Sequence, residues 1–250
     1  MVGFVDAHCH LLHERFKDDL PKVLNRAQEA GVERLYCVSG KLEHDEPVIE
    51  LAARNKGFVF PIIGASPHDA PAMSEEQLEA ELRLLEANAT RIAAIGEIGL
   101  EFHYFKGELE RKAQEKVFKA QLELAETLGK PVVIHCREAG EEVLRLLSGF
   151  KQGVMLHCCS NATLAAAGVE RGWLVSQPTL KSRERQKIIA ATPLERLCCE
   201  TDSPFLASVR GERNEPARVG LAYYEIAQVK GIGLDAVKEA AWGNVKRFFG

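Results

Sequence analysis

The sequence lacks any apolar run near the roughly 20 residues that a bilayer-spanning helix needs. Met1-Val2-Gly3 leads straight into an apolar strand pattern, with no basic and then apolar leader before it. Both absences point to a cytoplasmic protein without a membrane anchor. No CxxC occurs, and seven Cys, an odd number with adjacent pairs at Cys158-Cys159 and Cys198-Cys199, do not make a disulfide framework. A reducing compartment is expected. Positive charge is not in excess either: 32 Lys and Arg against 36 Asp and Glu leave a formal net charge of -4. That excludes the global basic footprint of a protein tracking along duplex nucleic acid. No G-x-G-x-x-G follows the first strand pattern, which removes the usual sign of a dinucleotide fold. Low-complexity tracts and tandem repeats are missing, and nothing indicates an obligate protein partner.

What is present is a repeating alternation. Apolar, Val- and Ile-rich runs recur at Gly3-Ala7, Arg34-Val38, Phe58-Gly64, Ile92-Ile98, Val132-His135, Val154-His157, Trp173-Ser176 and Leu197-Glu200. They predict eight strands. Helix signals lie between them. Ser74-x-x-Gln77 reads as a capping box with Leu78, Leu82 and Leu85 on one face. Pro47 suits the first turn of a helix ending near Gly57, and the stretch from Glu108 closes at Gly129 before Lys130-Pro131. Asn214 to Phe249 reads as two helices covering the barrel. Eight βα units whose strands are apolar on both faces predict a single (β/α)8 barrel domain over residues 1–250, with its active site at the C-terminal rim of the strands.

That rim gathers chemistry. In Asp6-Ala7-His8-Cys9-His10, strand alternation turns Asp6, His8 and His10 to one face. Eight His in 250 residues give such an HxH by chance about one time in four, so the spacing alone decides little. However, Glu97, His135, His157 and Asp202 each stand where an apolar run stops, where a barrel strand hands over to its active-site loop. Four imidazoles and two carboxylates suit divalent ions. His8 and His10 are expected on one ion, His135 and His157 on a second, and Glu97 between them. A bridging carboxylate holds two metals about 3.5 to 4 Å apart. Cys9, Cys136 and Cys158 adjoin candidate ligands, and alternation turns them away into packing.

With these residues the chain resembles the TatD-type metal-dependent hydrolases of the amidohydrolase superfamily over nearly its whole length. The likeness rests on Asp6-x-His8-x-His10, Gly64-x-x-Pro67-His68, Gly96-Glu97-Ile98-Gly99-Leu100 and Gln114-x-x-x-Phe118-x-x-Gln121-Leu122. It continues in Pro131-Val132-x-Ile134-His135-x-Arg137, His157-Cys158-x-Ser160, Glu200-Thr201-Asp202-Ser203-Pro204 and Arg213-Asn214-x-Pro216. The resemblance implies a TIM-like barrel, a metal centre of His8, His10, Glu97, His135, His157 and Asp202, and a deoxyribonuclease that removes nucleotides from DNA ends. Ser66, Glu101, Cys159 and Asn161 stand where the family pattern has His, Asp, Phe and Gly. None is a proposed ligand, and Ser66 and Glu101 border the substrate side.

Other residues receive roles from position. Asp6 is either a ligand or a partner that fixes a His tautomer. Glu200 shares a strand face with Asp202, which suggests contact with substrate or support of the site; a surface ion pair is the bland alternative. His68, Arg137 and Arg213 could each hold a phosphate oxygen, against the ordinary reading of solvated charges. The charge run Lys181 to Arg185 reads as a solvated face, and Trp173 and Trp242 as core.

The chemistry expected from this constellation is hydrolysis of a phosphodiester or related phosphate ester by a metal-bridging hydroxide, with Asp202 as proton acceptor, and the resemblance implies that it is of the 3′ to 5′ exonuclease type. Short single-stranded or frayed DNA ends are the expected substrate. His and carboxylate ligands accept Zn, Mn, Co or Fe, and Mg in a wet site. The same barrel also hosts ester, lactone and amide hydrolysis, including that of an aminoacyl ester at a nucleic-acid end. A non-catalytic, metal-stabilised binding module has no evident need for a proton acceptor such as Asp202.

Overall fold

Eight strands pair in parallel, each with its neighbour in sequence, to form one sheet ordered from first to last. The structure is a computed structural model describing residues 2–209 and 211–250. The first half alternates β1 (Phe4–Cys9), α1 (Leu20–Glu29), β2 (Val32–Val38), α2 (Asp45–Arg54), β3 (Val59–Ile63), α3 (Glu75–Ala87) and β4 (Ala94–Glu101). The second half continues with α4 (Glu108–Leu128), β5 (Val132–Arg137), α5 (Gly140–Leu146), β6 (Val154–Leu156), α6 (Ala162–Glu170), β7 (Leu174–Gln177), α7 (Arg183–Ala191) and β8 (Leu197–Cys199). Two helices, α8 (Gly220–Lys230) and α9 (Leu234–Phe249), end the chain. Among the described residues no helix is long and apolar enough to cross a membrane.

Strand alternation sorts the apolar side chains into two layers. Val5, Ala7, Tyr36, Val38, Ile62, Ala94, Val133, Met155, Leu174 and Cys198, drawn from all eight strands, pack together inside the barrel. Leu35, Cys37, Ile63, Ile134, Leu156 and Cys199, one position on, pack outward against the helices. The lower end of the barrel is closed by α9, whose Val245 joins the inner cluster and whose Phe249 stacks on Tyr36 at 3.9 Å between ring centroids. Trp242 belongs to this base, and Trp173 is buried, as the sequence suggested for both.

The two ends of the sheet meet through the segment after β8. Asp202 N donates to His8 O at 2.9 Å, and His10 N donates to Ser203 O at 2.8 Å. These bonds bring the residues beyond β8 against the C-terminal end of β1, so the barrel is nearly closed and its rim continuous.

Helix ends follow the sequence signals. Ser74 Oγ accepts from Gln77 N at 3.2 Å while Gln77 Oε1 accepts from Ser74 N at 2.8 Å, the reciprocal bonds of a capping box. Gly129 ends α4 in the left-handed region. One reading needs correction: Arg185, taken as part of a solvated face, is buried, and its Nη2 donates to Cys158 Sγ at 3.3 Å. The run Lys181 to Arg185 opens α7 on the side turned to the barrel, so this one cation packs inward.

Candidate metal centre

Strict alternation fails inside the first motif. Val5 and Ala7 already face the barrel interior, and the register with β2 slips between Asp6 and Cys9. That irregularity lets His8 and His10 both turn to the rim while Cys9 packs toward the helices. A register shift between Ile95 and Ile98 in β4 likewise brackets Glu97. These two of the three register shifts in the sheet coincide with proposed ligands.

Five side chains then converge. His8 Nε2 lies 3.4 Å from Glu97 Oε2 and 3.7 Å from Asp202 Oδ1. His10 Nε2 is 3.2 Å from Asp202 Oδ1 and 3.2 Å from His8 Nε2. His157 Nε2 is 3.3 Å from Glu97 Oε2, and its ring stacks on His8 with centroids 3.9 Å apart. His8, Glu97 and His157 form one potential ligand group, and His8, His10 and Asp202 another. Imidazole nitrogens and carboxylate oxygens crowded at these distances can share only protons or cations. Three nitrogens with two carboxylates match the donor preference of divalent first-row metals, so the residues present fit such ions.

The electrostatics agree. Burial pushes Glu97 and Asp202 up, but the hydrogen bonds from His8 and His10 and the charge of neighbouring imidazoles outweigh it and hold both carboxylates below their usual range. Burial pulls His157 down, yet the carboxylate of Glu200, with Glu97 and Asp202 beyond it, raises it to about 9. Positive charge is favoured on His157 and His10, whereas burial and the neighbouring His157 pull His8 below its ordinary value. Asp202 takes a left-handed φ of 52°, uncommon for a residue with a Cβ, and the bond from its N–H to His8 O helps hold it there.

His135 stands one step further out. Its Nε2 is 3.2 Å from Glu101 Oε2, its ring lies 5.7 Å from that of His157, and it groups with His68 and Glu101. Gly99 lets the backbone of β5 lie close beside β4, because a Cβ there would run into His135 O. The Gln residues of the α4 motif lock the neighbouring strand ends. Gln114 Oε1 accepts from Glu101 N at 2.9 Å, and Gln121 Oε1 accepts from Ala65 N at 2.8 Å.

Three expectations are corrected. Asp6 neither faces the cavity nor orients an imidazole: its carboxylate accepts from Thr201 Oγ at 2.6 Å, Thr201 N at 2.9 Å and His8 N at 3.3 Å. It therefore ties β1 to the segment carrying Asp202, and burial raises it to about 8 despite those bonds. Glu200 is no substrate contact, since it is fully buried behind His157 and takes a 2.5 Å hydrogen bond from Ser176 Oγ. Arg213 does not reach for phosphate. Its guanidinium donates to both Asp19 oxygens at 2.7 Å, to Glu215 at 2.7 Å and to Arg15 O at 2.6 Å, which commits it to the outer wall.

A cavity of about 450 Å³ opens above the cluster. His10, Glu97, Asp202, His135, Glu101, His68 and Arg137 line it, joined by Lys41, Tyr104 and Phe205, which sequence reasoning passed over. Tyr104 is 63% exposed and Phe205 43%, although both are aromatic. Their signal was available as aromatic residues in the loops that follow strands 4 and 8. Arg137 stacks on Tyr104, with Cζ 4.9 Å from the ring centroid.

The family model of TatD related DNases matches residues 5–250. The chain belongs to that family. It is 36% identical over 262 residues to the human deoxyribonuclease TATDN3, covering 99% of this chain and 95% of that protein. It is 29% identical over 262 residues to the 3′-5′ ssDNA/RNA exonuclease TatD of Erwinia amylovora, covering 98% and 99%. The crystal structure of the TatD homologue YJJV from Escherichia coli K12 superposes with a TM-score of 0.89 at 25% identity, covering 98% of this chain and 97% of that one. The protein is a TatD-family metal-dependent hydrolase on a (β/α)8 barrel.

Proposed function

We propose that this TatD-family hydrolase removes nucleotides from the 3′ ends of single-stranded DNA, using two divalent ions held at the barrel rim. One ion is assigned to His8, His10 and Asp202, the other to His157 with His135, and Glu97 links them. The observation that carries the reading is the convergence of three imidazoles and two carboxylates beside a cavity at the barrel rim. Relatives named as a deoxyribonuclease and as a single-strand exonuclease support the substrate class.

Ions in this cluster would acidify water and offset charge building on phosphoryl oxygens. Asp202 is the base in this reading: its carboxylate faces the cavity, is held ionised by the imidazoles, and accepts the proton of the attacking water. Arg137, with Lys41 beside the mouth, binds the phosphate backbone. His68 stands nearby at the rim. Tyr104 and Phe205 present exposed rings on which unpaired bases can stack, whereas a paired base offers no free face.

The test is digestion of end-labelled oligonucleotides by protein stripped with chelator and then reloaded with Mn²⁺, Zn²⁺ or Mg²⁺. Stepwise shortening of a single strand from its 3′ end is expected only after reloading. Unchanged activity in excess chelator would remove the metal mechanism. Inert DNA beside rapid hydrolysis of a carboxyl ester or lactone would move the assignment to carbonyl chemistry.

A further inference from the structure

We propose that a cavity on the underside of the barrel, at the end opposite the metal centre, binds a nucleoside monophosphate between Arg196, Arg247 and Phe248. The cavity measures about 370 Å³, and it shares no lining residue with the one at the rim. It opens where β5, β6 and β7 begin, about 13 Å along β5 from His135. The inner layer of Val133, Met155 and Cys198 fills the barrel between the two ends. This site therefore goes beyond the proposed reaction.

Its charge is uncompensated and its cations are fixed. Arg196 Nη1 donates to Gly172 O at 2.6 Å, and Arg247 Nη2 donates to Asn244 Oδ1. Both acceptors are neutral, and neither guanidinium pairs with a carboxylate among the described residues. Glu195, exposed, is the one acidic side chain on the lining. Asn244 is fully buried, and its Nδ2 donates to Leu194 O at 2.9 Å and Leu197 O at 2.8 Å. Those carbonyls flank the turn that presents Arg196, so one amide pins that turn to the helix that presents Arg247. Each guanidinium keeps further N–H donors, in the fork geometry that suits phosphate oxygens.

The opposite wall is apolar. A Cβ at Gly153 would meet the Phe248 ring at 3.0 Å and Pro131 Cβ at 3.3 Å, so the bare glycine lets ring and proline close into one surface. Leu174 and Val154 extend it. A bare oxyanion would satisfy the arginines and leave this surface empty, whereas small-molecule pockets of roughly 300 to 1,000 Å³ take ligands with a body as well. A nucleobase laid against Phe248, with its phosphate at the arginines, uses both walls. Mononucleotides are also what the proposed hydrolysis releases, but the assignment stands on this lining alone.

The experiment is calorimetric titration of the full-length protein with deoxyadenosine 5′-monophosphate, inorganic phosphate and deoxyadenosine, with anomalous maps from crystals soaked in 5-bromodeoxyuridine 5′-monophosphate. Arg196→Gln, Arg247→Ala and Arg137→Ala are compared with the parent chain. Arg247 is exposed, so its replacement leaves the fold intact and guards against a folding artefact in Arg196→Gln. The expected result is a bromine peak in the underside cavity that persists in Arg137→Ala. Nucleotide binding there should weaken roughly 10- to 150-fold in each underside variant, the range for one lost charge-assisted hydrogen bond, with digestion of end-labelled oligonucleotides unchanged. Phosphate bound as tightly as the nucleotide would overturn the assignment of a nucleoside body. Bromine at the rim alone, or binding indifferent to both underside changes, would overturn this inference and leave the proposed hydrolysis standing. A bromine peak on the underside of a protein that digests no DNA would support the inference and overturn the hydrolysis.

Discussion

Glu200 Oε1 lies 3.4 Å from His157 Nδ1, on the opposite side of the ring from the nitrogen that faces Glu97. Among the described residues neither atom has another hydrogen-bond partner. A carboxylate behind an imidazole fixes the proton on Nδ1 and leaves the Nε2 lone pair free for a ligand. Ser176 holds the other oxygen of the same carboxylate, so the orientation passes from β7 through Glu200 to His157.

Glu200→Gln should therefore weaken metal binding by about 10- to 100-fold, the usual cost of losing such a partner. Competition titration against a colorimetric chelator reads this directly. Affinity equal to the parent protein would mean that His157 needs no carboxylate to orient it.

Asp202→Asn tests the proton acceptor. The amide keeps an oxygen toward His10 but cannot take a proton, so a loss of roughly 10²- to 10⁴-fold in kcat is expected. Metal content and melting temperature should hardly change. Near-parental turnover, or a loss matched by lost metal, would show that Asp202 acts only as a ligand.

Tyr104→Ala and Phe205→Ala probe the mouth. Stacking on an aromatic side chain contributes about 1 to 3 kcal/mol per base, so each change should raise KM for single-stranded oligonucleotides by roughly 5- to 100-fold. Turnover of a small chromogenic phosphodiester should stay within about twofold. Equal losses on both substrates would place these rings in the chemistry instead of in strand binding.

A different pair couples stability to pH. Burial raises Asp45 to about 9, with the charge of Glu81 adding to it, and burial raises Glu81 to about 7. The folded pair therefore keeps protons that the unfolded chain releases in the ordinary carboxylate range. Its stabilising contribution is complete below that range and declines as pH rises through about 7 to 9. Asp45→Asn carries no charge to bury, so its melting temperature should gain on the parent protein between pH 6 and 9. Each kcal/mol relieved corresponds to about 2 to 4 °C for a chain of this size. A difference independent of pH would refute the pairing.

Much of this was legible in the chain because two independent periods agree. The apolar runs mark every strand to within a few residues, since interior and outward layers both demand Val and Ile. The rim ligands follow as polar residues at the ends of those runs. What escaped is what alternation cannot carry. The slip between Asp6 and Cys9 changes which residues share a face, so Asp6 was placed beside the imidazoles when it serves Thr201. Arg213 looked like a loop cation, but the partners that neutralise it, Asp19 and Glu215, lie on separate segments that only folding brings together. Glu101 reads from sequence only as a departure from Asp on the substrate side, and its pairing with His135 depends on where Gln114 fixes the backbone.

The aromatic stack of Phe249 on Tyr36, with the apolar filling above it, leaves the barrel with a sealed base. Nothing can be drawn through such a vessel from one end to the other. Whatever enters the rim cavity would have to leave from the same end of the barrel. A ligand seated there would thus stand in the path of the next one.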